Sequence, residues 1–425
     1  MSPKTKIICT IGPACDSEEL LEKMALAGMN VARLNFSHGT HSDHLRRIER
    51  IRAVRNRLKR PIAILLDTKG PEYRTGILKE GSITLVEGDR FTFTTEEVEG
   101  DQRRVSVSYK NLSNELQIGD EILVNNGLLA FRVVQKSSTE LLTEVTTGGV
   151  LTNNKSMSFP GRVLQQEYLS EQDKRDLLFG IEQDVDFIAC SFVSCAEDLK
   201  AVNTFLSQNG ARGKIDVIAK IENRSGVDHI EEIFERCDGI MIARGDMGVE
   251  VPFEELPQIQ KQLITKCRLL GKRVITATEM LESMIHNIRP TRAEISDVAN
   301  AVYDGTSAVM LSGETAVGLN PVLAVEVMAR IVKKAERGID YNRRFAHEEF
   351  QIYNVVDAIS HATCGMAIDV EAKAIVVCTL SGMTARMISR FRPQASILAL
   401  TTSEKNRRKL ALSWGVTSAL IEMYD

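Results

Sequence analysis

Short apolar runs alternate with helical patterns in two blocks of the chain. Before residue 70 the runs are KIICTIG, NVARLNF and IAILLDTKG; after about residue 160 they are VDFIACSFV, DVIAKIEN, GIMIARGD, RVITATEM and SAVMLSGE. Segments such as SEELLEKMALAG and FEELPQIQKQLITKCRLLG, with apolar residues at helical spacing, lie between most of them. Near-continuous apolar strands joined by crossover helices predict parallel strands buried on both faces. About eight of them predict an α/β fold, a (β/α)8 TIM barrel.

From Gly70 to about Gly161 the pattern changes. Turn residues separate β-rich pieces (SITLVEG, RFTFTT, RVSVSY, EILVNNG, LAFRVVQ, LLTEVTT), and helical periodicity is largely absent. This predicts an inserted all-β domain after the third barrel strand, placed to close as a lid over the barrel mouth. Beyond NPVLAVEVMARIVKKAERGI, the expected last barrel helix, a second α/β unit follows: VVDAISHATCGMAIDV, AIVVCTL, TARMISRFR, ILALTT, KNRRKLALSW and VTSALIEM. The expected domains are therefore a barrel over 1-70 and 161-338, a β-barrel lid over 71-160 and a C-terminal α/β domain over 339-425.

One strand carries charge where none is expected. In IDVIAKIENRSGV, Lys220 and Glu222 share one face while Val217, Ala219 and Ile221 occupy the other. Other predicted strands end similarly: Arg33, Asn35 and Ser37 on the second, Asp67, Thr68 and Lys69 on the third, Ser191 on the fourth. Arg244 and Asp246 end the sixth, Thr276 and Thr278 the seventh, Ser312 and Glu314 the eighth. A single Lys/Glu pair reads equally well as an ion pair between barrel layers. So many charges on one rim, each expensive to remove from water, point instead to a charged ligand and cations at the strand ends.

Charge type narrows the ligand. Glu222 and Asp246, on neighbouring strands, suit one octahedral Mg²⁺ that keeps waters or substrate oxygens. Lys220 and Arg33 suit phosphate oxygens, and the combination suggests phosphoryl transfer. No GxxxxGK[ST] and no GxGxxG is present, which argues against a P-loop enzyme or a protein kinase. The glycines around Asp246 in ARGDMGVEVP offer backbone N–H groups for a carboxylate or phosphate.

Composition changes this picture little. A hydrophobic content of 43%, a charged content of 26% and a net charge of −4 describe a soluble protein with no nucleic-acid or membrane partner. The arginines of HLRRIERIRAVRNRLKR fall on the solvated face of an amphipathic helix. The eight cysteines show no CxxC spacing and sit mostly in apolar runs, as reduced core residues do. Strand pattern begins almost at the first residue and no run is long enough for a bilayer, so a cytoplasmic location is expected.

The motifs CTIGPA, MNVARLNFSHG, LLDTKGPEYRTG, VIAKIENRSGV, MIARGDMGVEVP, TATEMLESM, PTRAEISDVANAVYDGTSAVMLSGETA and SGMTARMISRFRP follow one another in an order and spacing that closely resemble pyruvate kinase. The likeness runs from Lys4 to the end. It implies transfer of the phosphoryl group of phosphoenolpyruvate to ADP, giving pyruvate and ATP in glycolysis. It also implies dependence on Mg²⁺ (or Mn²⁺) and K⁺, and assembly as a homotetramer. Carried over by position, Lys220 would stabilise the phosphoryl group, Glu222 and Asp246 would hold Mg²⁺, and the N–H groups of Gly245 and Asp246 with Thr278 would hold the substrate carboxylate. Ser191 would belong to the substrate site, and Thr278 and Ser312 to the protonation network. Asn35, Ser37, Asp67 and Thr68 would form the K⁺ site, and Glu72 marks K⁺-dependent members. Arg33, His38, Arg74 and Lys155 would face the nucleotide.

Departures are few. Ser156 stands for a usual glycine, Ser307 for a usual aspartate and Ser194 for a common arginine. The sequence ends before the last helix and strands that family members carry, so the C-terminal domain is expected to be incomplete. LTTSEKNRRKL resembles the loop that holds an activator's phosphate, with Asn406 where threonine is frequent; a solvated helix start reads as well. Two alternatives compete with an active enzyme. A regulatory family member that has lost catalysis is disfavoured by the retention of Lys220, Glu222, Asp246 and Thr278. Another phosphoenolpyruvate-handling barrel is disfavoured by the lid, which a single-substrate lyase does not need.

Overall fold

The computed structural model describes residues 3–348 and 350–422. Eight parallel strands close into a barrel in chain order: Lys6–Thr10, Val31–Asn35, Ala63–Asp67, Phe187–Cys190, Asp216–Ile221, Gly239–Ala243, Arg273–Ala277 and Ala308–Leu311. These are the eight runs expected from the pattern, and their side chains alternate between two cores. Ile8, Val31, Leu65, Phe187, Ile218, Met241, Ile275 and Met310 fill the interior. Residues one step away, such as Ala32, Leu66, Ile188, Ile221 and Ile242, meet the surrounding helices.

Local chemistry starts and stops these helices. Thr40 and Asp43 form a capping box at His41–Leu58, as Thr291 and Glu294 do at Arg292–Asp304. Helix His41–Leu58 buries His44, Ile48, Ile51 and Val54. Arg57 on its outer face pairs with Glu18 and Glu22, and Arg50 with Asp16, in keeping with a solvated arginine face.

The third and fourth barrel strands are hydrogen-bonded neighbours even though the β-rich segment intervenes. Between them, strands from Tyr73 to Ser158 form a seven-stranded sheet with a two-stranded companion, closed over Phe91, Phe93 and Phe131. Gly70 makes the turn out of the barrel with φ +67, and a Cβ there would stand 2.9 Å from the Ser191 carbonyl oxygen. Asp173, buried at the head of the returning helix Glu171–Glu182, accepts the Gly70 N–H (3.1 Å) and fixes the turn. The segment also contains a short helix, Leu112–Glu115, which the β-rich pattern concealed.

The C-terminal unit is a three-stranded parallel sheet, Ala374–Cys378, Ser396–Thr401 and Val416–Leu420, with helices Val355–Asp369 and Met383–Arg390. The helix expected over KNRRKLALSW is shorter: it runs Glu404–Lys409 and then tightens to a 3-10 turn, Leu410–Leu412. The reason is packing, because Leu410 belongs to the C-terminal core while Ala411 and Leu412 enter the floor of the barrel. Met423, in the last expected element, and the segment's end at Asp425 lie outside the described residues. Among those described, no helix is long and apolar enough to cross a membrane.

Candidate active site

The inward faces of the second to fifth strands bring Arg33, Asp67, Ser191 and Lys220 together at the end of the barrel where the strands finish. Register does this: Asn35 lies beside Asp67, Asp67 beside Ala189, and Cys190 beside Ala219. Lys220 Nζ stands 3.0 Å from Glu222 Oε1, 3.1 Å from Asp67 Oδ1 and 2.7 Å from Ser191 Oγ. Arg33 Nε donates to Asp67 Oδ2 (2.6 Å), and its Nη1 donates to Thr10 Oγ1 (2.8 Å). Thr10 escaped the sequence reading, although KIICT places it on the inner face with Ile8.

Burial sets these groups against one another. It pushes the Asp67 carboxyl up, but Arg33 and Lys220 outweigh it and hold the group below the usual carboxylate range. It pushes Lys220 down, but Asp67 and Glu222 outweigh it and hold the ammonium above the ordinary lysine value. Glu222 is displaced upward: burial dominates, Lys220 opposes it, and the negative charge of Asp246 adds to it. The Phe192 N–H, at a residue with φ +56, donates to Glu222 Oε2 (2.6 Å).

Beyond the sixth strand the chain turns at once into helix Arg244–Glu250, which carries Gly245 and Asp246 in its first turn. Arg244 leaves the rim, where its sequence position had placed it. It pairs with Asp297 (2.7 Å) and donates to the carbonyls of Thr278 (2.7 Å) and Glu279 (3.0 Å). Those two residues have φ of +64 and +54, unusual for a β-branched and a long side chain, and Arg244 braces them. Thr278 Oγ1 accepts the Gly245 N–H (2.8 Å) and donates to the Ala277 carbonyl (2.6 Å).

Thr276 is not on the rim. Its neighbours Ile275 and Ala277 fill the barrel, so Thr276 points outward and donates to Thr306 Oγ1 (2.9 Å). The left-handed turn at Thr278 ends the strand and breaks the alternation. At the eighth strand, buried Glu314 accepts the N–H groups of Ser312 (2.7 Å) and Leu281 (3.0 Å), and Ser312 Oγ has no partner among the described residues.

A cavity of about 780 Å³ between lid and barrel reaches this rim and is lined by Glu72, Arg74, Lys155, Glu222, Asp246 and Glu250 among others. Glu72 and Arg74 pair at 2.6 Å. Arg33 and His38 lie outside that lining: Arg33 is buried on Asp67, and His38 is exposed on the loop after the second strand. Ser156 sits in strand Ser156–Ser158 without a positive φ and donates to Asn126 Oδ1 (3.1 Å), so its side chain introduces no backbone strain.

No group of three metal-ligating side chains occurs among the described residues. The donors still fit two cations. Glu222 and Asp246 are hard oxygen donors whose mutual repulsion a divalent ion would relieve, with water or substrate completing the shell. Asn35, beside Asp67 in register, accepts the Ser37 N–H through Oδ1 (3.1 Å), and Thr68 Oγ1 accepts the Ser191 N–H (3.1 Å), so these residues carry neutral oxygens of the kind a monovalent ion takes, while Asp67 itself is held by Arg33 and Lys220.

Comparison with known proteins identifies relatives along almost the whole chain. Residues 2–325 match the family model "Pyruvate kinase, barrel domain" and residues 357–425 match "Pyruvate kinase, alpha/beta domain". A protein named pyruvate kinase from Geobacillus stearothermophilus is 48% identical over 98% of this chain and 71% of its own length. One from Clostridium acetobutylicum is 46% identical over 97% and 88%. The crystal structure of a pyruvate kinase from Cryptosporidium parvum superimposes with a TM-score of 0.95 at 40% identity, covering 99% of this chain and 87% of that one. Barrel, rim and likeness over almost every residue lead to one conclusion: the chain belongs to the pyruvate kinase family.

Proposed function

We propose that the rim built by the second to eighth strands carries the chemistry, with Lys220 binding the phosphoryl group as it moves. The activity follows from family membership: the enzyme transfers the phosphoryl group of phosphoenolpyruvate to ADP, giving pyruvate and ATP. The observation that supports the residue assignment is the placement of Lys220 Nζ, which is buried, fully charged and held by Asp67, Glu222 and Ser191. A cation held in place before the substrate arrives offsets charge on the transferring group without reorganisation.

As the enol-phosphate P–O bond breaks and a bond to the terminal ADP oxygen forms, Lys220 and Arg33 meet the spread negative charge. The N–H groups of Gly245 and Asp246, with Thr278, orient the substrate carboxylate; Gly245 exchanges its bond to Thr278 Oγ1 for one to substrate. The enolate left behind takes a proton at carbon, and the unpartnered hydroxyl of Ser312 with that of Thr278 belongs to the network that delivers it. Arg74 and Lys155, already in the lid cavity, reach the nucleotide phosphates together with Arg33 and His38. Glu222 and Asp246 would hold Mg²⁺, and Asn35, Ser37, Asp67 and Thr68 would hold K⁺. When bound, these ions supply positive charge at the phosphate oxygens. By the same likeness the enzyme assembles as a homotetramer, which light scattering on the purified chain checks.

The test is ADP-dependent pyruvate formation from phosphoenolpyruvate with Mg²⁺, with and without K⁺. Turnover that needs both ions supports the assignment. No turnover under any of these conditions overturns it.

A further inference from the structure

At the opposite end of the barrel from Lys220, the feet of the seventh and eighth strands meet helix Met383–Arg390 of the C-terminal unit. A narrow void, open to solvent on one side, lies in this seam, lined by Arg273, Ser307, Arg386, Arg390, Arg392 and Trp414 among others. Its cations outnumber its carboxylates. Arg273 pairs with Asp216 (2.7 Å), which Lys409 also holds (2.5 Å), and Arg390 pairs with Asp357 (3.0 Å). The nearest carboxylate oxygen to Arg386 is that of Asp238, at 3.9 Å.

Arg392 has no ion-pair partner among the described residues. It is only 3% exposed. It donates to the carbonyls of Ser389 (2.7 Å) and Gly305 (3.0 Å) and to Ser307 Oγ (3.1 Å), and it lies 4.9 Å over the Trp414 ring. Burial, with Arg268 and Arg344 adding repulsion, pushes its pKa down to about 9. The guanidinium stays charged at neutral pH nonetheless. Three N–H groups in the seam, Nε of Arg386, Arg390 and Arg392, have no hydrogen-bond partner among the described residues. Glu348, already shared with Arg268 and Arg344, offsets the Arg392 charge only in part, so a charge excess and three unsatisfied donors remain around one void, each costly to bury.

We propose that this seam binds one small inorganic anion of chloride size, which ties the C-terminal unit to the barrel floor. The seam is narrow but opens to solvent on one side, so it admits a small anion somewhat larger than water. Water satisfies N–H groups but leaves the excess positive charge of Arg268, Arg344 and Arg392 over Glu348 unbalanced, whereas a monatomic anion answers both.

Bromide is the probe. Crystals of the full chain grown without halide and soaked in sodium bromide should show an anomalous difference peak in the void. In solution, replacing gluconate by bromide at constant ionic strength should raise Tm by about 2 °C with a saturating dependence. Ser307→Asp places a carboxylate beside Arg392 and should abolish both the peak and the Tm response while leaving kcat unchanged. Arg392→Gln, which removes the charge and keeps a donor, should do the same to peak and response if Ser307→Asp does not fold. An empty void in the soaked crystal overturns the proposal. So does a peak without any Tm response, which marks binding at crystal concentration only, or a response that survives in both variants.

Discussion

Asp67 Oδ1 and Lys220 Nζ lie 3.1 Å apart across two barrel strands, and the other oxygen of the same carboxylate receives Arg33 at 2.6 Å. One buried acid therefore fixes both cations that the proposed mechanism turns on the phosphoryl group. Lys220→Met should reduce kcat at least ~10²-fold, the scale for removing one preorganised charge stabiliser. It should also leave Asp67 and Glu222 without their shared cation, at a cost of about 3–5 kcal/mol in stability. Steady-state rates and urea unfolding measure the two effects separately, and an unchanged rate would assign the phosphoryl clamp to another residue.

Thr278 combines a left-handed backbone with a hydroxyl bonded on both sides. Thr278→Ser keeps that hydroxyl and should retain activity within a few fold. Thr278→Ala removes it, should lower kcat by about 10²-fold and should leave KM for ADP in place, because the proposed contact is to phosphoenolpyruvate and not to nucleotide. Equal losses in Ser and Ala variants would show that the methyl group matters and the hydroxyl does not.

Glu72 pairs with Arg74 at the edge of the lid cavity, close in sequence to Asp67 and Thr68. Glu72→Lys replaces an anion with a tethered cation, which can stand in for the charge that K⁺ supplies. The variant should show a reduced K⁺ requirement, read as the ratio of rates with and without K⁺. Full dependence in the variant would refute charge substitution as the reason.

The barrel was legible because its strands are near-continuous apolar runs, and inner and outer faces follow from alternation. The charged faces of Lys220 and Glu222 and of Arg33 and Asn35 were legible for the same reason. Alternation failed where the backbone left the strand: Thr276 points outward, and Thr278 reaches the site through a left-handed turn that no apolar pattern signals. Arg244 was misplaced because a helix begins there without a capping side chain. Partner choice was beyond the sequence altogether. Asp173 reaches Gly70 across the inserted lid, and Leu412 enters the barrel floor from the C-terminal unit. The family resemblance supplied substrates and ions, which pattern alone does not specify.

His44 links acid stability to the loop that carries His38. Its ring is 1% exposed, stacks on Phe36 at 4.0 Å and bonds the His38 carbonyl through Nε2 (3.0 Å). Burial, aided by the positive charge of Arg47, pushes its pKa down from 6.5 to about 4. Because the folded value lies below the unfolded one, the folded state binds fewer protons between these limits. The stabilising contribution is complete above about pH 6.5 and is lost as pH falls toward 4. The fall is on the order of 3 kcal/mol if the whole shift is expressed, at 1.36 kcal/mol per pKa unit. His44→Gln retains a donor for the His38 carbonyl and does not titrate. Urea unfolding of both proteins from pH 4 to 7 should therefore show a steeper loss in the wild type, with the difference between them growing below pH 6.5. Parallel curves would show that His44 titrates alike in both states and that its burial does not govern the loop.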